Sequence, residues 1–150
     1  MYFEDIAVGL TFGGERYTID AEEMLAFARK WDPRPLHVDP DSAAAAAFGG
    51  VIASGAYLTA IFTLLSQRSR KAAGDHALIA ALGSEGQRIP HPGRAGDTLT
   101  YGAEVVAKRD SKSRPDAGVL RTRAWLANQD GAVVMECETV TLIEKRPARG

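Results

Sequence analysis

The chain has 150 residues, 45% of them hydrophobic, with 18 lysines and arginines set against 19 aspartates and glutamates. That length fits one domain able to bury about two-thirds of the surface its unfolded form exposes, and the balanced charge lacks the concentrated basic footprint of a nucleic-acid binder. No apolar run reaches membrane-spanning length, and Glu4 and Asp5 stand where a basic and then apolar leader would, so the expectation is a cytoplasmic chain with no membrane partner.

Residues 1 to 19 read as extended pieces broken by Gly9, Gly13 and Gly14. A helix then opens with Asp20 as a candidate N-cap and Glu23 three positions on, and Met24, Phe27, Ala28 and Trp31 recur at helical spacing. Pro33 stops it near Asp32, because the residue before a proline is disfavoured in helical geometry. Asp32 to Asp39 follows as a proline-clamped loop, and an alanine-rich helix from Pro40 ends at Gly49 and Gly50. Val51 to Ser66 is apolar in nearly every direction around a helix, which predicts burial on all sides.

Four strand-length segments come next, residues 76–87, 98–109, 118–128 and 132–144, the last two joined by a hairpin at Gln129-Asp130-Gly131. Cys137 sits in the last of them and reads as a buried structural thiol, while Arg146 to Gly150 reads as a frayed tail. The order predicts an α+β fold in which a curved antiparallel sheet wraps a central helix. The open edges of such a sheet favour pairing with a second copy, so a homodimer or higher oligomer is expected.

Chemistry concentrates between Trp31 and Gly55. Asp32 and His37 stand five positions apart in the proline-clamped loop, where a carboxylate and an imidazole can share a substrate or a water; Asp32 as a cap and His37 as a satisfied buried polar group fit the same spacing. Ser54-Gly55 opens the apolar helix, where free N–H groups and the helix dipole suit a developing oxyanion, and plain helix initiation fits equally. Three histidines and no Cys-x-x-Cys argue against a metal centre, and Ile52-Ala53-Ser54-Gly55-Ala56 lacks the first glycine of a serine-hydrolase elbow. Arg88, Arg94 and Lys108 read as solvated charges or as candidate phosphate contacts, and His91, in Pro90-His91-Pro92, is a turn histidine; His76 reads as structural or exposed.

Three stretches in this order carry a resemblance: Trp31-Asp32-Pro33-Arg34-Pro35-Leu36-His37-Val38-Asp39, then Phe48-Gly49-Gly50-Val51-Ile52-Ala53-Ser54-Gly55, then Gly96-Asp97-Thr98-Leu99. Together they resemble a MaoC-like dehydratase, the group that includes the (R)-specific enoyl-CoA hydratases of the hot-dog fold. The resemblance implies reversible addition of water to a 2-enoyl thioester, with coenzyme A as part of the substrate and no metal or redox cofactor. It implies Asp32 and His37 as catalytic residues, Gly55 as the oxyanion donor and a place near the substrate mouth for His91; Ser54, Arg34, Arg88 and His91 are the candidate substrate contacts, Arg34 being either an added anchor for a carboxylate or phosphate or a solvent-facing loop residue. Arg34 stands where the familiar hydratases resemble an asparagine, and Ser54 where they tend to have histidine. An acyl-thioester hydrolase and a non-catalytic acyl-CoA-binding module are the alternatives.

Overall fold

The computed structural model describes residues 1–148. A short 3-10 turn (Phe3–Asp5) leads into strand β1 (Thr11–Thr18) and helix α1 (Ala21–Trp31). Two single-turn helices follow, α2 (Pro35–Val38) and α3 (Ala43–Ala46), and then the long helix α4 (Gly55–Ala72). Strands β2 (Leu78–Arg88), β3 (Thr98–Asp110), β4 (Ala117–Ala127) and β5 (Val133–Glu144) complete an antiparallel five-stranded sheet of order β1-β3-β4-β5-β2. This is the expected α+β arrangement of a sheet curled about one helix.

Local chemistry sets the element ends. The Asp20 side chain accepts from the Glu23 N–H at 2.8 Å and starts α1, a cap contributing about 0.5–2 kcal/mol. The β4–β5 turn closes as expected, with Asn128 N–H bonded to the Ala132 carbonyl and Gly131 at φ +80°, where a side chain would strain the backbone. β1 belongs to the sheet edge and bulges between Gly13 and Arg16. A Cβ at Gly13 would stand 2.3 Å from the Tyr101 carbonyl oxygen, so only glycine admits this approach.

Leu58, Ile61, Phe62 and Leu65 of α4 pack on Leu99, Tyr101 and Ala103 of β3, on Ala124 and Leu126 of β4, and on Cys137 of β5. Cys137 is buried, and that burial pushes its thiol above the ordinary value. Two expectations need correction. Helix α4 is not buried on all sides: Leu64 is exposed, and β2 is open along most of its length, because the sheet closes on α4 from the β1 and β3 side and leaves a gap toward β2. Nor is Arg146 part of a loose tail, since its backbone N–H donates to Glu4 and its guanidinium pairs with Asp5; the remainder of the expected tail, Arg149 and Gly150, lies outside the described residues.

Candidate active site

The Asp32–Asp39 segment is not a plain loop. Pro35 sits at the first position of α2, where its missing N–H has no helical partner to lose, and the turn carries His37 inward until it is 3% exposed. His37 Nδ1 lies 2.8 Å from the Ile52 carbonyl oxygen. A carbonyl only accepts, so Nδ1 carries the proton and donates, and Nε2 is the nitrogen left for chemistry. That nitrogen lies 3.5 Å from Asp32 Oδ2. The gap is long for a direct hydrogen bond, yet one oxygen atom of a water or a hydroxyl can sit within bonding reach of both groups.

Asp32 ends α1, its own N–H bonded to the Ala28 carbonyl. Its carboxylate is clamped by Arg34, Nε to Oδ1 and Nη2 to Oδ2, each at 2.7 Å. Those bonds hold the Asp32 carboxyl below its ordinary value, with the Arg34 charge and His37 adding to the effect. The Arg34 side chain is 70% exposed, so its guanidinium is engaged with Asp32 on one side and open to solvent on the other. The two-residue spacing of this clamp is the feature that sequence reasoning missed.

The Val51–Ser54 segment is fixed from both sides. Ile52 N–H bonds the Leu36 carbonyl in α2, and Ala53 N–H bonds the Gly93 carbonyl before β3. This leaves the Ile52 carbonyl for His37 and delivers Ser54 to the start of α4, where its buried hydroxyl accepts from Tyr57 N–H at 3.1 Å. Ser54 thus satisfies the third helical N–H, and the N–H groups of Gly55 and Ala56 have no acceptor within the helix. Glu23 locks α1 to α4, accepting from the Tyr57 hydroxyl at 2.6 Å and also from Tyr17. Burial, followed by this carboxylate, pushes the Tyr57 hydroxyl well above its ordinary value.

Other candidates lie apart from this cluster or are otherwise engaged. Arg88, at the end of β2, is 77% exposed and 3.3 Å from Glu136. His91 Nδ1 lies 3.0 Å from the Val133 carbonyl oxygen. Lys108 is corrected from a phosphate contact to a structural cation: its Nζ donates to the Phe3 and Ile6 carbonyls, both at 2.7 Å, over the Phe3 ring. His76 is buried rather than exposed. Among the described residues, no group of three or more His, Cys, Asp or Glu side chains is arranged to hold a metal, and no helix is long and apolar enough to cross a membrane.

A family model for the MaoC-like domain matches residues 7–128. The chain belongs to the MaoC-like family. A MaoC-like dehydratase from Rhodospirillum rubrum is 34% identical, with 99% of each chain covered and a TM-score of 0.86. A monoamine oxidase regulatory protein from Archaeoglobus fulgius is 30% identical, covering 98% of this chain and 96% of its own, with a TM-score of 0.85. An (R)-hydratase from A. caviae involved in PHA biosynthesis is 30% identical, covering 96% and 99%, with a TM-score of 0.68. The MaoC-like chain is therefore of the hydratase/dehydratase type on a hot-dog fold.

Proposed function

We propose that this MaoC-like protein adds water reversibly to a 2-enoyl thioester, with coenzyme A as the carrier. The observation that carries the reading is the pairing of Asp32 Oδ2 with His37 Nε2 at 3.5 Å, the imidazole being oriented by the Ile52 carbonyl. In hydration, Asp32 and His37 hold one water and take its proton as its oxygen attacks the β carbon. The Gly55 N–H stabilises the thioester oxygen as charge develops there, and a proton returns to the α carbon. In the reverse direction the same N–H acidifies the α proton, and the β hydroxyl leaves as water. Ser54 fixes the helix start that presents the N–H. Arg34 keeps Asp32 ionised, and its open side, with Arg88 and His91, is offered to the polar part of the substrate.

A homodimer is part of this reading, since a second copy covers the open edge at β2 and the exposed side of α4. The test is a panel of short, medium and branched trans-2-enoyl-CoAs followed by loss of the enoyl ultraviolet absorbance, with thiol release measured in parallel. Absorbance loss without thiol supports hydration. Thiol release moves the assignment to a thioesterase, and silence in both assays leaves a binding module.

A further inference from the structure

The two halves of the candidate site ride on different elements: Asp32 ends α1, and the Gly55 N–H opens α4. Their separation is therefore set by how α1 lies on α4. Met24 and Ala28 are the buried residues of α1, and Met24 joins the main core. Apolar contact of this kind is non-directional and leaves a helix some freedom to slide.

The directional tie is Glu23. It stands in the first turn of α1 and is exposed, yet its Oε1 accepts from the Tyr57 hydroxyl at 2.6 Å and also from the Tyr17 hydroxyl. A hydroxyl bonded to a carboxylate in this way is charge-assisted and stronger than a neutral pair. Tyr57 is 3% exposed. It lies in the first turn of α4, and its own N–H is the one that Ser54 caps. Glu23 thus grips α4 at the turn that begins with Gly55.

Glu23, Phe27 and Trp31 follow at four-residue intervals on one face of α1. The Phe27 ring lies 5.3 Å from that of Tyr57 and 6.5 Å from that of Trp31. Trp31, next to Asp32, is 64% exposed, so on this face the hold on α4 comes from Glu23 and Phe27. The helix is unbroken from Ala21 to Trp31, and a slide at Glu23 arrives at Asp32 undiminished.

We propose that Glu23 is a positioning residue for the hydration chemistry: through the Tyr57 hydroxyl it fixes the register of α1 on α4, and with it the distance from the Asp32 carboxylate to the Gly55 N–H. Its effect on rate rests on the hydratase reading. Glu23 acts through Tyr57 and not on the substrate, so turnover depends on it while substrate binding does not.

The test uses variants of the full chain, with the fold checked by circular dichroism. Glu23→Ala and Tyr57→Phe each remove the bond, and Glu23→Gln keeps an acceptor oxygen for the Tyr57 hydroxyl. Gly118→Ala, on β4 and away from both helices, controls for lost stability alone. On the best trans-2-enoyl-CoA, Glu23→Ala and Tyr57→Phe are expected to lower kcat at least about tenfold with KM held within about twofold, since a misplacement of about 1 Å can cost about 100-fold. The double variant should lose no more than the larger single effect. Glu23→Gln should recover most of kcat, and Gly118→Ala should keep it. Parent kcat in Glu23→Ala, additive losses in the double variant, no recovery in Glu23→Gln, or an equal loss in Gly118→Ala overturns the assignment. Should Glu23→Ala fail to fold, Tyr57→Phe carries the measurement.

A parent that turns over no enoyl thioester counts against the hydratase reading, and nuclear magnetic resonance then decides the positioning by itself. The Asp32 carboxyl carbon, the His37 ring nitrogens and the Gly55 amide are expected to shift in Glu23→Ala, to return in Glu23→Gln and to keep their parent positions in Gly118→Ala. Parent shifts at all three groups in Glu23→Ala overturn it.

Discussion

A methyl group at Gly55 separates folding from catalysis. A Cβ there would lie 3.2 Å from Ile89 Cδ1 and meet nothing else within 4 Å, against an optimum carbon contact of about 3.5–4.0 Å. The neighbour has to yield by a few tenths of an ångström, and it is the free end of a side chain that is 44% exposed. Gly55 does not adopt a left-handed conformation, and alanine gains up to about 1 kcal/mol of helix propensity over glycine. Gly55→Ala should therefore stay within about 1 kcal/mol of the parent, or about 2–4 °C in Tm. Activity should respond differently, because the methyl narrows the approach of a thioester oxygen to the first free N–H of α4. Loss of an oxyanion donor costs about 100- to 1000-fold in kcat, and partial obstruction should cost at least about tenfold, roughly 1.4 kcal/mol in the barrier. Calorimetric melting and kcat/KM on the best enoyl thioester measure the two effects. Unchanged kcat/KM would refute Gly55 as the oxyanion site, and a melt lowered by more than about 10 °C would refute the packing argument.

Asp32→Asn and His37→Gln should each lower kcat/KM by about 100-fold or more with the fold intact by circular dichroism, the usual scale of acid–base contributions; near-parent activity in both would remove their roles. Arg34→Gln should raise the pH at which the Asp32 carboxyl titrates, read from its ¹³C shift, because Arg34 holds that group low. The acid stability arising from this group is present above the unfolded carboxylate value and lost as pH falls through the lowered folded one, so the variant should lose it at higher pH. Coincident titrations in parent and variant would mean that Arg34 is not the cause. Gly118→Ala places a methyl 2.3 Å from the buried Phe3 ring and should cost about 1–3 kcal/mol in denaturant unfolding; an unshifted midpoint would contradict the packing of the N-terminal segment on β4.

Local rules were legible wherever local chemistry decides. The Asp20 cap and Pro33 bracket α1, and β3, β4 and β5 fall within one residue of the segments marked by their alternation. Composition around α4 misled, because an apolar circumference reports what a helix can bury and not what a single chain supplies. The sheet covers Leu58 and Leu65 but leaves Leu64 exposed. The Asp32–His37 pairing was readable as a motif, whereas its geometry depends on the Ile52 carbonyl, 15 residues from His37. The Arg34 clamp depends on side-chain rotation, and the Lys108 contacts join residues more than 100 positions apart. Neither leaves a periodic trace in the sequence.

The most direct test of the central claim is mass spectrometry of a trans-2-enoyl-CoA incubated with the protein in ¹⁸O-labelled water. The account predicts one ¹⁸O at the β carbon of an intact thioester, abolished by Asp32→Asn. Label in a free carboxylate together with released thiol would contradict it and assign the Asp32–His37 pair to thioester hydrolysis.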